Sequence, residues 1–257
     1  MTAMTALFSL AALFTIGGTL GWCLELCYRR MISGKWINPG FLVGPCLPLY
    51  GTGLVVLYLL CSVDLGFIAN PALSVAVRLV VMMLVLTAIE FVTGLIFTKV
   101  YHVKLWDYSD LWGNIRGIVC PLYTLLWGLL GAAYFFFLHG IFSSVAAWFA
   151  AHPSSSFFLG MYFGVFGADI GYSFRVVTHI RQWASEHDLE VRYEHLKLSI
   201  RRHAEQLSEK WPFQRFLFSF PNRSDLMEEL EQYRKWFSEQ RKWIEEKREK
   251  IHKNRQS

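Results

Sequence analysis

The sequence predicts an all-α, polytopic membrane protein with about five transmembrane helices and a cytosolic tail shaped as a helical hairpin or coiled coil. Three observations lead there. The chain of 257 residues is 54% hydrophobic, with charges sparse up to about residue 180 and dense after it. Several apolar runs approach the ~20 residues that a bilayer-spanning helix requires. Lys and Arg fall in alternate connections between those runs. The expected units are a transmembrane domain over 1–180 and a cytosolic helical tail over 181–257.

The five expected spans are Ala3–Tyr28, Cys46–Ser62, Ala72–Thr98, Ile118–Leu138 and Phe157–His179. The second is short and interrupted. Ile141–Ala151 is apolar but too short to span alone, and reads as an interfacial helix. Arg29, Arg30 and Lys35 follow span 1; Lys99, Lys104 and Arg116 follow span 3; Arg181 and a basic tail follow span 5. The connections 61–71 and 139–156 carry neither Lys nor Arg. This pattern predicts a multi-pass protein of the cell membrane, with its N-terminus outside and its tail in the cytoplasm. Arg78 departs from the pattern and is expected to snorkel at the outer end of span 3. The N-terminus lacks the basic region of a signal peptide, so span 1 is expected to be retained.

Residues 34–53 read GKWINPGFLVGPCLPLYGTG, with five Gly and three Pro between two apolar spans. Gly permits close backbone approach and Pro leaves carbonyls unpaired. At membrane depth such backbone persists only when buried in protein or lining a wet cavity. The segment is therefore expected to form one wall of a site.

Four acids are candidates for that site. Glu25 lies near the inner end of span 1, Glu90 inside span 3, Asp169 inside span 5, and Asp107 in the loop after span 3. A charge at a helix centre costs roughly 2.5–3.5 kcal/mol, so such groups pair, face a cavity or lie on a substrate path. Structural pairing of Glu25 with Arg29, or of Asp169 with Arg116, stands beside a shared functional site. Glu90 is deepest and has no basic neighbour in sequence. Asn38, Tyr50, Tyr108, Asn114 and Arg116 complete the set of candidate ligand-binding residues. If helical, Asp107, Asp110 and Asn114 would share a face and could hold a hard cation. The cofactor is open, and the five Cys read as small buried apolar residues.

The tail carries two apolar stripes. Leu189, Tyr193, Leu196, Ile200, His203 and Leu207 extend a helix from His179 to about Trp211. Leu226, Leu230, Tyr233, Phe237, Gln240, Ile244, Lys247 and Ile251 mark another, started by Asp225 and Glu228 as a capping box. A hairpin or a coiled coil with a second copy would bury them. The formal charge of +5 suits an anionic inner leaflet, and no nucleic-acid motif is present. The sequence also lacks GxxxxGK[ST], HExxH and GxSxG.

These residues in this order resemble a known family. Gly21-Trp22 with Glu25, Gly34-Lys35, Asn38, Gly40-Phe41-Leu42, Gly44-Pro45, Pro48 and Tyr50-Gly51 carry the resemblance. Glu90 with Gly94, Trp106-Asp107-Tyr108-Ser109, Asn114 and Gly117 complete it. Over about residues 17–130 the chain resembles ABC transporter permeases of the CmpB type. The resemblance implies a membrane transport component served by a separate ATPase subunit, with no catalytic activity of its own. Two alternatives remain: a membrane-embedded, metal-dependent enzyme acting on a lipid headgroup, and a scaffold recruiting partners through its tail.

Overall fold

The computed structural model describes residues 3–34, 36–186, 191–193, 196, 227, 230–232, 234, 235 and 238. Its helices are α1 (Ala3–Ser33), α2 (Pro48–Ser62), α3 (Pro71–Tyr101), α4 (Pro121–Ala133), α5 (His139–Ala151) and α6 (Ser156–Glu186). A π turn, Tyr134–Leu138, joins α4 to α5. Four helical rods are long and apolar enough to cross a bilayer: Ala3–Ile32, Pro71–Tyr101, Pro121–Ala151 and Pro153–Glu186. The protein is thus a mostly helical polytopic chain, with α2 as a shorter apolar helix.

Local chemistry sets the helix ends. Pro48, Pro71 and Pro121 each begin a helix, where a missing N–H costs nothing. The Asn70 side chain accepts from the amides of Ala72 and Leu73 at 3.0 and 3.3 Å, capping α3. His102 ends that helix in the left-handed region at φ 55°, its amide bonded to the Phe97 carbonyl. At the end of α2, Arg78 donates to the carbonyls of Leu60, Cys61 and Val63. A cation on those orphan carbonyls also offsets the helix dipole. Arg78 therefore works as a helix cap instead of simply reaching toward water.

Two expectations are corrected. The fourth expected span, Ile118–Leu138, does not stop at Leu138, and Ile141–Ala151 is not a separate interfacial helix. The helix runs through the π turn, because no Pro interrupts an apolar backbone that must satisfy its own hydrogen bonds. The helix from His179 to Trp211 is also interrupted. Helix α6 ends at Glu186, and Val191–Arg192 form a strand, β2, parallel to β1 (Val103–Lys104). Most of both tail stripes lies outside the described residues, as do the hairpin and coiled coil inferred from them.

The connection between α1 and α2 determines the layout. Helix α1 runs on to Ser33, but the Leu47 amide bonds the Gly18 carbonyl at 3.0 Å. Those α1 positions are 15 residues apart, about 22 Å along a helix. The non-helical strip 36–47 therefore runs back along α1, and α2 begins part-way up the bundle. The helices touch closely there. A Cβ at Gly51 would come 2.7 Å from the Phe14 carbonyl oxygen, and one at Gly21 would come 2.3 Å from Tyr50 Cβ and Cγ.

Two apolar cores hold the molecule. One joins Leu13, Leu54, Leu57, Met82, Leu86 and Tyr134 across α1, α2, α3 and the π turn. The other lies at the end that carries the loop after α3, hereafter the loop end. It joins Phe97, Val103, Val177, Ile180 and Trp183 to Val191, Tyr193, Leu196 and Leu230. The described tail residues thus pack onto the bundle. Gly21→Leu is expected to lower the thermal midpoint of the detergent-purified protein, at a cost of about 1–3 kcal/mol from overpacking. Gly160→Ala, at a site with no atom near the new Cβ, is the matched control expected to melt like the parent.

Candidate functional site

Glu90 is the most buried carboxylate among the described residues, 3% exposed on α3. Its two oxygens are held from two directions. The Tyr108 hydroxyl donates to Oε1 at 3.1 Å from the loop, and the Trp127 ring N–H donates to Oε2 at 2.9 Å from α4. Glu25 on α1 sits nearby and is partly exposed. It accepts the Tyr50 hydroxyl at 3.2 Å and the Arg29 guanidinium at 3.2 Å. Tyr50, which donates to Glu25, packs its ring on Trp127, which donates to Glu90, so the two carboxylates share one neighbourhood.

Aromatic rings enclose that neighbourhood. Tyr50 lies against Trp127, ring centroids 5.6 Å apart. Tyr108 stacks on Tyr123 at 4.2 Å and 10°. The hydroxyls of Tyr123 and Tyr28 are 3.5 Å apart. The loop reaches so deep because Gly94 on α3 leaves room for Ile118, whose carbonyl takes the Trp106 ring N–H at 2.8 Å. Toward the far end, an apolar cavity of about 150 Å³ opens between α1, α2 and α4. Leu20, Leu24, Leu54 and Leu57 line its length, and Tyr50 and Trp127 belong to its wall.

The other sequence candidates lie elsewhere. Asn38 holds the re-entrant strip together: it accepts the Trp22 ring N–H at 2.6 Å and donates to the carbonyls of Leu42 and Val43. Asp169 fastens the same strip to α6. It accepts the amides of Val43 at 3.0 Å and Gly44 at 2.9 Å, and the Ser173 hydroxyl at 3.1 Å. Asp169 therefore pairs with backbone and not with Arg116, which is exposed in a turn at φ 57°. Glu25 and Arg29 do pair.

Asp107, Asp110 and Asn114 lie in turns, not on one helical face. Asn114 donates to the carbonyls of Ser109 and Leu111 and accepts the Gly117 amide, which closes the loop on itself. Asp110 is exposed. Among the described residues, no three of His, Cys, Asp and Glu gather as metal ligands would. The premise of a shared cation-binding face is overturned, because turn bonding wins over helical spacing.

Sequence reasoning missed Trp127, Tyr123 and Tyr28. A Trp well inside an apolar span is a readable signal, since a buried ring N–H needs an acceptor. Nothing in the spacing told which acceptor it would find. Chemically, the cluster is two carboxylates held by hydroxyl and ring N–H donors, and two of those donors, Tyr50 and Trp127, also line the apolar cavity.

Asp107 anchors the loop to the segment after α6. It accepts the Ser109 amide at 3.0 Å and the Ser109 hydroxyl, and its Oδ2 lies 2.9 Å from the Arg192 guanidinium. Burial pushes its pKa up, but the Ser109 bonds, Lys104 and Arg192 together outweigh burial and hold it below the ordinary value of 3.8. A carboxyl depressed in the folded state stabilises above its unfolded-state pKa, and that contribution fades as pH falls through the folded value. The parent is therefore expected to melt above Asp107→Asn at pH 7. The gap should narrow below about pH 4, as measured by thermal unfolding at matched ionic strength.

No curated protein and no solved structure matches the chain. One family model does match, over residues 12–174, which takes in the re-entrant strip, the carboxylate pair and Asp169. That match spans well over half of the 257 residues and is wider than the stretch carrying the sequence resemblance. The chain belongs to the CmpB family of ABC-transporter proteins, described as "Putative ABC-transporter type IV".

Proposed function

We propose that this chain is the membrane component of an ABC-type transporter, with its polar site at the Glu25–Glu90 cluster. The burial of Glu90, bonded by donors from two separate elements, is the observation that carries this reading. An acid in an apolar rod costs roughly 2.5–3.5 kcal/mol by insertion scales. Such residues mark ligand or ion pathways as a rule. The break before α2 supports the same reading, since interrupted helices beside charged groups are a recurrent transporter device. The chain carries no phosphate-binding GxxxxGK[ST], so in this reading ATP is hydrolysed by a separate subunit.

The arrangement of Lys and Arg supports a loop end facing the cytoplasm and an N-terminus outside, in the cell membrane. The site then opens inward, next to where an ATPase would dock. Asn38 and Asp169 set the shape of the strip beside it, and Tyr50 and Tyr108 orient the two carboxylates.

Two measurements test this. Affinity purification of the full chain from native membranes should bring down a second polypeptide that hydrolyses ATP. Glu90→Gln, present at parental abundance and still holding that polypeptide, should fail to complement a strain lacking the gene. Full complementation by Glu90→Gln would remove Glu90 from the mechanism.

A further inference from the structure

We propose that the tip of the loop after α3 is a membrane-interface anchor: Trp112, with Ile115 beside it, seats in the phospholipid headgroup layer at the loop end. The proposal rests on the chain crossing a bilayer and is independent of what the chain transports.

The tip is built to hold a ring outward. The Leu111 amide bonds back to the Tyr108 carbonyl at 2.9 Å, and the Ile115 amide bonds the Val119 carbonyl at 2.8 Å. Asn114 donates to the carbonyls of Ser109 and Leu111 across the turn. Gly113, at φ 68°, packs so close to Pro121 that a Cβ there would lie 3.0 Å from the Pro121 ring. Trp112 therefore stands on a turn tied by its own bonds. It is 88% exposed, the highest value among the large apolar residues described.

Pro121 fixes the depth of that ring. It starts the rod Pro121–Ala151, which is 31 residues long and apolar enough to cross a bilayer. Its length is about 46 Å, from a rise of about 1.5 Å per residue. The hydrocarbon core of a bilayer is about 30 Å thick, and about 40–45 Å with both headgroup layers. A spanning rod of this length ends in a headgroup layer on each side, and the turn against Pro121 lies at that depth. The apolar face of the rod begins one residue on, with Leu122, Leu125 and Leu129 exposed. The tip thus continues the surface that the rod turns to lipid.

A second ring marks the opposite layer. Trp148 is exposed near the end of the same rod and stacks on His152 at 4.4 Å. From Pro121 to Trp148 the rod rises about 40 Å, the separation of two headgroup layers. The ring N–H groups divide the tryptophans the same way. Trp22, Trp106, Trp127 and Trp183 each donate to an acceptor within the protein. Trp112 and Trp148 meet no acceptor among the described residues. An apolar ring with an N–H left to give suits the boundary where acyl chains meet headgroup oxygens and water. A protein subunit docked on the tip would leave the match between ring spacing and bilayer thickness without a cause.

The test is fluorine NMR of the full chain, labelled with fluorotryptophan, in nanodiscs of zwitterionic lipid. The resonance missing from Trp112→Phe belongs to Trp112, and the one missing from Trp148→Phe to Trp148. Trp112→Tyr gives the same assignment should the Phe variant fold poorly. Three nitroxide probes are compared at matched nitroxide content: one on a lipid headgroup, one at a lipid chain end, and one soluble in water. The headgroup probe should broaden both resonances at least threefold more than either of the others. Strongest broadening of Trp112 by the soluble probe would place the tip in water. Strongest broadening by the chain-end probe would place it in hydrocarbon, and none by any probe would mean that a protein surface covers it. Each of these overturns the proposal, as does a different order of probes at Trp148. None of them bears on ATPase co-purification or on complementation by Glu90→Gln, so the transport reading stands or falls separately.

Discussion

A backbone that leaves helical geometry inside an apolar bundle must find a partner for every amide and carbonyl it exposes, or forfeit roughly 1–3 kcal/mol for each one left bare. The strip 36–47 answers that demand with two side chains and one backbone carbonyl. Asp169 on α6 takes the amides of Val43 and Gly44, Asn38 takes the carbonyls of Leu42 and Val43, and the Gly18 carbonyl takes the Leu47 amide. Without these bonds α2 could not start part-way up the bundle. Tyr50, in its first turn, would then not reach Glu25.

A second non-helical element follows the same logic. The loop after α3 spends its polar groups internally, through Asp107, Ser109, Asn114 and Gly117. It then lends one hydroxyl, that of Tyr108, to Glu90. The two elements converge at the loop end, and the packing around them is aromatic. Phe41 of the strip contacts both Phe97 and Phe174, and the Tyr193 hydroxyl donates to the Phe41 carbonyl at 3.3 Å. The segment after α6 is thus wired to the strip, and through it to the site.

The far end is built more simply. Ser9 on α1 donates to the Ala146 carbonyl on α5 at 2.8 Å, and Phe8 meets Phe149 edge-on. The rods touch there, while Leu20 and Leu24 stand apart from α4 at the cavity. The opening lies between these rods and α2, whose Tyr50, Gly53, Leu54 and Leu57 form one wall.

Which parts could be read from the chain follows from the range of the forces involved. Apolar runs and the oddity of residues 34–53 are local and were legible; Pro48, Pro71, Pro121 and the Asn70 cap are equally local signals, but the expected spans did not use them. The need of Glu90 for partners was legible, because an acid in an apolar run needs a reason wherever it sits. The i to i+4 pair Glu25–Arg29 was legible too, since helical geometry alone brings it together. Other outcomes were matters of tertiary competition. Asp169 prefers two backbone amides 125 residues away to any Arg, and Asp107 and Asn114 close a turn where spacing suggested a helix. Trp127 and Tyr108 meet at Glu90 only because Gly94 lets the loop sink between the rods. By itself the sequence determined the rods, their order and the residues that must be accounted for. Only the tertiary structure decided which donor each carboxylate received, because hydrogen bonds reach about 3 Å and the partners lie tens of residues apart.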